Sequence, residues 1–370
     1  MRKFGFTLIT IFLLFGFFPQ ANADTSVINL VSKPHQLFDG TFLSDDLAID
    51  LSPTGSLGKA VEQKRTGVRT WVIDAALLDE VADMANGYEL QNEVAPSGEL
   101  IAKEWLARLL LATSGDRVIA LPYGNPDVAL AKKLAPSELR LYSNYGNERV
   151  AFYLNRRITA ENSDLWSPGT SGLSAPLRKK YTQNRRALTI LSSVVNAPEV
   201  QTLRAKLAVL LSPSLKKDES KLFSNNASAV VAQTLDGLRI TSGKYQIASN
   251  AGKLPVTVIN NFSVPVIVNI KFSTLNSRLQ VSNITGLQIP AKSRTQLAMP
   301  FTVIAPGATT VTAQITNEDG VVVGKSTKLA INISIFDSKV TGFTIGAAVL
   351  LFVAALTQTV RRVRKGRNEN

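Results

Sequence analysis

The hydrophobic period of this chain changes near residue 213, and this change limits the possible folds more than any other feature. Up to that point, short apolar runs alternate with amphipathic segments of helical spacing; beyond it, apolar and polar residues alternate singly along runs rich in Val, Ile and Thr. Helices repeat every 3.6 residues and strands every two, so the two halves must belong to different fold classes. We predict an α/β domain over residues 24–213, a polar linker over residues 214–235 and an all-β domain over residues 236–337.

The first module alternates strands with helices. Val68–Ile73 is predicted as a buried strand, and Asp74 stands where it would cap a helix that Gly87 ends. A helix is predicted over Glu99–Ala112 and a second strand over Arg117–Leu121. Strands that alternate with helices favour a parallel sheet. Because about 190 residues are too few for a complete eight-stranded barrel, we expect a reduced or incomplete barrel-like sheet.

Further elements follow toward the boundary at residue 213. A helix is predicted with Asn125 as its cap and Pro126 at its first position, and a third strand is predicted at Leu139–Tyr142. Two segments, Ala187–Asn196 and Glu199–Leu211, have the spacing of a helical pair. The module is therefore predicted to end in helices, directly before the linker.

The second module has the rhythm of an antiparallel β-sandwich. Its main strand-like runs are Leu254–Val258, Val264–Phe272, Gln296–Val303, Thr309–Thr316 and Lys328–Ile335. Turn residues separate the runs, and Asp319-Gly320 between the last two indicates a tight hairpin. Some seven short strands over about 100 residues indicate a sandwich of immunoglobulin-like type.

The first residues have the order of an export signal. Two basic residues, Arg2 and Lys3, precede an apolar run of about 15 residues, which is short of the roughly 20 that a spanning helix needs. A small-residue triplet, Ala21-Asn22-Ala23, follows. We predict a signal peptide over residues 1–23; the alternative is an uncleaved N-terminal anchor.

A second apolar segment lies near the other end of the chain. Val340–Val360 contains no charged residue, and its length is enough to cross about 30 Å of hydrocarbon. Five basic residues follow within residues 361–370. Because positive residues beside a span favour the cytoplasmic side, we predict a transmembrane helix over residues 338–360 and a cytoplasmic tail over residues 361–370. The rest of the chain is then outside the cytoplasm, and the lipid bilayer is the expected partner of this end.

The sequence contains few groups suited to catalysis. It has no cysteine and one histidine, His35, for which we expect a surface loop; zinc spacings, calcium loops and phosphate-binding glycine loops are missing, so we expect no cofactor and no metal. Asp74 and Asp127 follow predicted strands, at the edge where α/β folds build their sites. They are the candidate acid and base of a glycan-active enzyme, with Trp71 and Tyr123 as candidate sugar-stacking residues. The alternative is structural, because both acids stand where helix caps belong.

The positive charge of the chain favours a membrane surface or an anionic polymer as partner, and not nucleic acid. The net charge is +13, and Arg178, Lys179 and Lys180 belong to the densest basic run outside the tail. This run is a candidate contact for headgroups or an anionic polymer, or else a solvated helix face. An exported protein does not meet duplex DNA, so we expect no nucleic-acid partner.

Three segments of the chain resemble a known family. Thr70–Leu78, Ala120–Asp127 and Ile240–Asn261 are similar to segments of an uncharacterised actinobacterial envelope family. The resemblance implies a signal peptide, a degenerate barrel-like α/β region, an Ig-like domain and a C-terminal membrane anchor. It also implies a link to cell-wall assembly and no established active site.

These features together predict a membrane-anchored, extracytoplasmic protein of the cell envelope. We expect it to bind a cell-wall glycan, a lipid-linked precursor or another envelope protein without catalysis, with the sandwich as a spacer above the membrane. The alternative is a hydrolase- or deacetylase-like enzyme that acts on glycans through Asp74. An open cleft with a second carboxylate within about 10 Å of Asp74 would favour the enzyme, whereas a helix cap without a cleft would favour binding.

Overall fold

The computed structural model describes residues 25–64, 67–92, 95–158, 163–167, 169–334 and 338–366. The predicted signal peptide, residues 1–23, lies outside these residues. Within them the chain forms a small α/β unit, a group of helices, a β-sandwich and one C-terminal helix.

The α/β unit is built on a three-stranded parallel sheet. Its strands lie in the order β1 (Thr25–Leu30), β2 (Val68–Ile73) and β3 (Arg117–Ala120). Its helices are α1 (Asp46–Leu51), α2 (Ser56–Glu62), α3 (Ala75–Ala85) and α4 (Glu99–Thr113). The central strand β2 is buried after its first residue because elements cover both faces of the sheet. Strands that are consecutive in the chain are neighbours in the sheet, as in a barrel, but the described sheet stays open at three strands.

A group of helices follows the sheet. These helices are α5 (Val128–Leu134), α6 (Pro136–Tyr153), α7 (Ala175–Ser192), α8 (Pro198–Lys206) and α9 (Ser220–Leu235). A short 3₁₀ helix, Leu207–Leu211, continues directly from α8, and we call it the plug. A second 3₁₀ turn, Ser163–Trp166, lies between α6 and α7.

Two of the sequence-based predictions for this region are wrong. Leu139–Tyr142 is not a strand but lies in α6, because Pro136 starts a helix and residues three apart face the same core. The helix predicted to begin at Pro126, with Asn125 as its cap, begins at Val128 instead, because Asp127 is the cap and Asn125 has a left-handed backbone, with a φ of 44°.

The residues predicted as a linker, 214–235, mostly form helix α9. Phe223, Ala227 and Val231 are spaced by four, and each of them is at most 2% exposed. The charged residues that most suggested a linker, at positions 216–219, lie directly before this helix. The helix packs against the rest of the fold, so the two halves of the chain are not joined by a free tether.

The second half forms two packed β-sheets. The strands are β4 (Leu238–Ile240), β5 (Gly243–Ile247), β6 (Ala251–Asn260), β7 (Val266–Thr274), β8 (Leu279–Val281), β9 (Ile284–Ile289), β10 (Ser293–Val303), β11 (Gly307–Thr316) and β12 (Val322–Ile333). One sheet has the order β4-β6-β10-β8 and the other β5-β12-β11-β7-β9. The predicted hairpin joins β11 to β12, with Gly320 at a φ of 77°. The prediction of an immunoglobulin-like sandwich is confirmed at the level of this two-sheet architecture.

The hydrophobic core does not stop at the boundary between the helices and the sandwich. One cluster of buried side chains contains Leu37 from the loop after β1 and then runs from Leu130 through the helices to Ile333 in β12. A separate cluster fills the α/β unit and includes Trp71 and Trp105. The helices and the sandwich therefore share one core.

The chain continues into helix α10, Ser338–Gly366. The described side chains of this helix, residues 346–361, are all exposed. Among the residues that the structure describes, no helix combines the length and the hydrophobicity needed to cross a membrane.

Candidate functional site

Asp74 lies at the carboxyl end of β2 and caps helix α3. Its Oδ1 accepts hydrogen bonds from the backbone N–H of Ala76, at 3.0 Å, and of Gly124, at 2.9 Å. The first bond satisfies a free donor at the start of α3. The second ties the end of β2 to the loop that follows β3. Asp74 is only 4% exposed, so its carboxylate holds the local backbone together.

A second buried carboxylate, Glu80, lies one and a half turns further along α3. It accepts hydrogen bonds from the backbone N–H of His35 at 3.1 Å and of Gln36 at 3.2 Å. Glu80 therefore fixes the loop after β1, as Asp74 fixes the loop after β3. His35 is 2% exposed and lies 3.0 Å from the hydroxyl of Ser32, which corrects the expectation of a surface loop.

A third acid, Asp79, organises a network on the side of α3 that faces helix α6. Its Oδ2 accepts a hydrogen bond from the hydroxyl of Tyr123 at 2.8 Å. Its Oδ1 accepts from the guanidinium of Arg149, at 2.6 and 2.8 Å, and from the hydroxyl of Tyr153 at 2.8 Å. Both oxygens of Asp79 are thus engaged by protein groups.

The plug closes the space above these strand ends. Gly124 has a φ of 74°, and a Cβ at this position would lie 2.8 Å from the backbone N of Val209. Only glycine allows the plug to come so close at this backbone angle. Val209 in turn lines two small cavities that Glu80 also borders. One cavity has a volume of about 20 Å³ and the other about 10 Å³, so each has room for about one water molecule.

Burial changes the proton affinities of the groups beneath the plug. It raises the pKa of Asp74 to about 7 and the pKa of Glu80 to about 8, against the opposing effect of their backbone hydrogen bonds. Burial, with a smaller contribution from the positive charge of Lys33, lowers the pKa of His35 to about 4. Shifts of this kind are found in active sites and in structural networks alike. Here each acid has backbone partners, and the cavities beside them have room for about one water molecule each.

The other residues predicted for this site lie elsewhere. Trp71 is fully buried, and its indole N–H donates to Asp116 at 2.9 Å, so it cannot line a sugar-binding cleft. Tyr123 is 2% exposed and faces Asp79. Asp127 caps α5 through the N–H of Leu130, at 2.9 Å, and its other oxygen accepts from the N–H of Ser171 at 3.0 Å. The structure brings Asp74 and Tyr123 to the same sheet edge but gives Asp127 a separate structural role.

The basic run on α7 is partly engaged within the protein. The guanidinium of Arg178 donates to the carbonyl of Leu173 at 2.8 Å, and the ammonium of Lys180 donates to Asn225 at 2.7 Å. Lys179 is exposed. Two of the three basic side chains thus form hydrogen bonds within the protein, which favours the interpretation of this run as a solvated helix face.

The sequence-based search missed Asp79, Glu80 and Arg149. The signal was present in α3, where two adjacent acids interrupt a helix that is otherwise buried nearly all round. A helix of that kind must pair its acids inside the protein. The partners come from α6 and from the loop after β1, at sequence separations that no local pattern reveals. Within the described residues, no group of three or more His, Cys, Asp or Glu is arranged to hold a metal ion.

Comparison with known proteins gives a family and a fold type. A family of unknown function, DUF6049, matches residues 157–368, which is more than half of the chain. The matched stretch contains α7–α10 and the sandwich, whereas Asp74 and the three-stranded sheet lie before it. Of the three segments that suggested a family, Ile240–Asn261 falls within the match. No curated protein matches the sequence.

Several solved β-domains are similar to part of the chain. One is WR4, a member of the MSP family of Caenorhabditis elegans, at 12% identity and a TM-score of 0.21, covering 26% of this chain and 98% of that chain. Another is the CARDB domain of PF1109 from Pyrococcus furiosus, at 14% identity and a TM-score of 0.21, covering 26% and 94%. A third is the Escherichia coli chaperone DraB, at 10% identity and a TM-score of 0.19, covering 26% and 55%. These likenesses carry no argument about function.

The family match extends over α7–α9 and the sandwich, which share one hydrophobic core, and it reaches through helix α10. It confirms the expectation of an uncharacterised family. The chain belongs to DUF6049, a family of unknown function.

Proposed function

We propose that this protein is a single-pass membrane protein whose folded part lies outside the cytoplasm and binds a cell-envelope ligand without converting it. The observation that carries the proposal is the exposure of helix α10, where Leu350, Leu351 and Phe352 are 73%, 73% and 67% exposed. A helix that is apolar on all sides is stable only when something covers it, and a bilayer does so.

The sequence around this helix supports a membrane span. The run Val340–Val360 contains no charged residue over 21 positions, which is long enough to cross the hydrocarbon layer. Five basic residues follow the run within residues 361–370, and this asymmetry favours a cytoplasmic tail. The predicted signal peptide favours the same orientation.

The closed strand ends support a role in binding rather than turnover. Asp74, Asp79 and Glu80 each accept hydrogen bonds from groups of the fold itself, and Val209 of the plug lies against Gly124 in the loop that follows β3. A glycosidase needs two carboxylates that flank a sugar in an accessible cleft. Cavities with room for one water each cannot admit a sugar ring.

The ligand classes follow from the proposed location. A protein anchored outside the cytoplasm meets cell-wall glycan, lipid-linked precursors of that glycan and other envelope proteins. The resemblance found in the sequence, which implies a link to cell-wall assembly, favours these three classes.

One observation favours a second candidate, a glycan-active enzyme that uses Asp74. Asp74 and Glu80 both border the 10 Å³ cavity, and burial raises the pKa of both. Pairs of acids with shifted pKa values act as general acid and general base in many enzymes. The candidate requires the plug to leave, and therefore predicts that breaking the contact between Gly124 and Val209 increases turnover.

Membrane anchoring is tested with the full chain in a bacterial host. We expect the protein to resist extraction of membranes by alkaline carbonate and to dissolve only in detergent. The double variant Leu350→Arg/Val353→Arg should be lost from the membrane fraction, because each Arg near the centre of a span costs about 2.5–3.5 kcal/mol. The matched variant Leu350→Phe/Val353→Leu keeps the apolar surface and should stay in the membrane.

Orientation is tested by thiol labelling, since the chain has no cysteine of its own. We expect Asn196→Cys, in the exposed turn between α7 and α8, to react with a membrane-impermeant reagent on intact cells. A cysteine added after Asn370 should react only after the membrane is opened. Labelling in the reverse order, or carbonate extraction of the unaltered chain, would contradict the proposal.

A further inference from the structure

The positive charge of the folded part is concentrated in the sandwich. Residues 24–237 contain 24 basic and 24 acidic side chains, so the first two-thirds of the folded part is balanced. Residues 238–333 contain nine basic and only two acidic side chains. The two acids, Glu318 and Asp319, lie together in the hairpin between β11 and β12. The sandwich is therefore the module whose charge favours an anionic partner.

The sandwich has two different ends. At one end, the helices are attached: Glu199 accepts from the hydroxyl of Ser263 at 3.1 Å, and Asn317 donates to Ser193 at 3.2 Å. The acidic hairpin also lies at this end. At the other end, β12 finishes at Ile333 and the chain continues to α10. We call the second end, with its turns at residues 248–250, 275–278 and 304–306, the exit end.

The strand pairing places these turns beside the start of the path to α10. Ile333 at the end of β12 pairs with Gly307 at the start of β11 and with Ile247 at the end of β5. Ile304 donates its backbone N–H to the carbonyl of Arg278 at 2.8 Å, which joins the other two turns. Only five residue steps separate Ile333 from Ser338, so this path spans at most about 18 Å.

Two large apolar side chains project from the turns of the exit end. Leu275 is 78% exposed and Ile304 is 63% exposed. Single exposed apolar residues are common on protein surfaces, so these two gain meaning only together with the charges beside them. Because the helices are attached at the opposite end, they leave this end uncovered.

Basic side chains lie beside Leu275. Lys244 on β5 pairs with Ala330 on β12, and Lys328 lies two residues away on the same outer face. Each lysine borders one of two adjoining cavities, of about 670 Å³ beside Lys244 and about 350 Å³ beside Lys328, and Leu275 and Thr310 line both. Among the described ion pairs, neither lysine has a carboxylate partner. The described strands and turns of the exit end contain no Asp or Glu.

We propose that the exit end docks onto the membrane that holds α10, with Leu275 and Ile304 in the interface and Lys244 and Lys328 on phosphate-bearing anionic headgroups. This inference rests on the proposed anchoring and adds a lipid-binding surface to it. The phosphate is the anion that a lysine binds as a point charge, and the attraction reaches only about a Debye length from the surface. The short path to α10 keeps the exit end within reach of the headgroups.

The test uses the full chain reconstituted into vesicles, with an environment-sensitive dye on Leu275→Cys. In vesicles that contain phosphatidylglycerol we expect the dye emission to shift to the blue, and in pure phosphatidylcholine we expect a much smaller shift. Lys244→Gln/Lys328→Gln should lower the ratio of docked to undocked protein roughly fivefold for each lysine. The matched variant Lys292→Gln/Arg294→Gln, near the opposite end, should leave the ratio unchanged. A dye on Val321→Cys, in the acidic hairpin, should keep the emission of an aqueous environment in both kinds of vesicle.

The outcomes separate this inference from the proposed anchoring. A chain that does not enter vesicles at all refutes the anchoring and the docking together. A chain that enters them while the dye at position 275 reports water refutes the docking alone. An equal blue shift in neutral and anionic vesicles, or an equal loss in both lysine-pair variants, refutes the recognition of headgroup charge by Lys244 and Lys328.

Discussion

At the residue scale, one close contact decides what the carboxyl end of the sheet can do. Gly124 allows the plug to lie directly above Asp74, and Val209 fills the space where a ligand would enter an α/β site. Asp74 and Glu80 accept hydrogen bonds from backbone N–H groups beneath the plug. Their buried positions explain their high pKa values without a catalytic task.

The first prediction concerns this contact. Gly124→Ala should lower the free energy of unfolding by about 2–4 kcal/mol, because its Cβ would meet Val209 and the residue would keep a left-handed backbone. Gly40→Ala is the matched control: its φ is 97° but no atom lies within 4 Å of the new Cβ, so it should cost about 1–2 kcal/mol. Urea unfolding measures both. Equal losses would show that the plug does not press on Gly124.

The second prediction is that the raised pKa values of Asp74 and Glu80 make the free energy of unfolding depend on pH. Asp74 and Glu80 keep a proton in the folded protein at pH values where the unfolded chain has lost it, so raising the pH favours unfolding. Stability from these groups is complete below about pH 4 and is lost as the pH rises through about 7 for Asp74 and about 8 for Glu80. Asp74→Asn should remove about 1–3 kcal/mol of the decline between about pH 5 and pH 8. Urea unfolding at both pH values checks this; an unchanged decline would refute it.

At the element scale, buried polar contacts hold the helices in place. Glu138 of α6 is fully buried and pairs with Arg204 of α8, at 2.9 and 3.0 Å, while Thr189 of α7 donates to the same carboxylate at 3.0 Å. One acid therefore fixes three helices. Such a pair contributes little net stability by itself, but breaking it leaves an uncompensated buried charge.

The third prediction follows from this pair. Arg204→Met should destabilise the protein by about 3–5 kcal/mol, because the carboxylate of Glu138 would stay buried without its partner. The double variant Glu138→Leu/Arg204→Met should recover most of that loss, since it removes both charges. Thermal unfolding of the three proteins completes the comparison. A double variant as unstable as the single one would mean that packing, not charge, determines the cost.

The elements show which parts of the fold were predictable. β2, α3 and the Asp74 cap were predicted almost to the residue, because strand burial and helix capping depend on neighbours in sequence. The strand runs of the sandwich were also found. Helix α9 was missed because its apolar stripe is narrow and its surface polar. The closure of the site was not predictable, since the plug comes from about 85 residues beyond Gly124 and only the tertiary fold brings them together.

At the scale of the whole molecule, the unit of folding differs from the two modules first predicted. Helices α5–α9 and the sandwich share one core, and the family match begins at residue 157, shortly before α7. The three-stranded sheet has its own core and lies outside the match. A boundary at residue 213 would therefore cut through a packed structure.

The fourth prediction tests this unit. A fragment over residues 125–334, which contains α5–α9 and the sandwich, should unfold cooperatively, whereas a fragment over residues 236–334 should unfold at a lower temperature and with less cooperativity. The shorter fragment loses α9, whose Phe223 and Val231 belong to the shared core. Circular dichroism at increasing temperature distinguishes the two. Equal midpoints for both fragments would show that the sandwich folds without the helices.

The central claim is that this protein binds an envelope ligand and does not convert it. The most direct test incubates the purified full chain with cell-wall glycan and measures released sugars and acetate, beside Asp74→Asn and Gly124→Ala. We predict no product from any of the three, and retention of the chain on the glycan, on its lipid-linked precursor or on an envelope protein. Product from the unaltered chain that disappears in Asp74→Asn would contradict the claim and identify an enzyme.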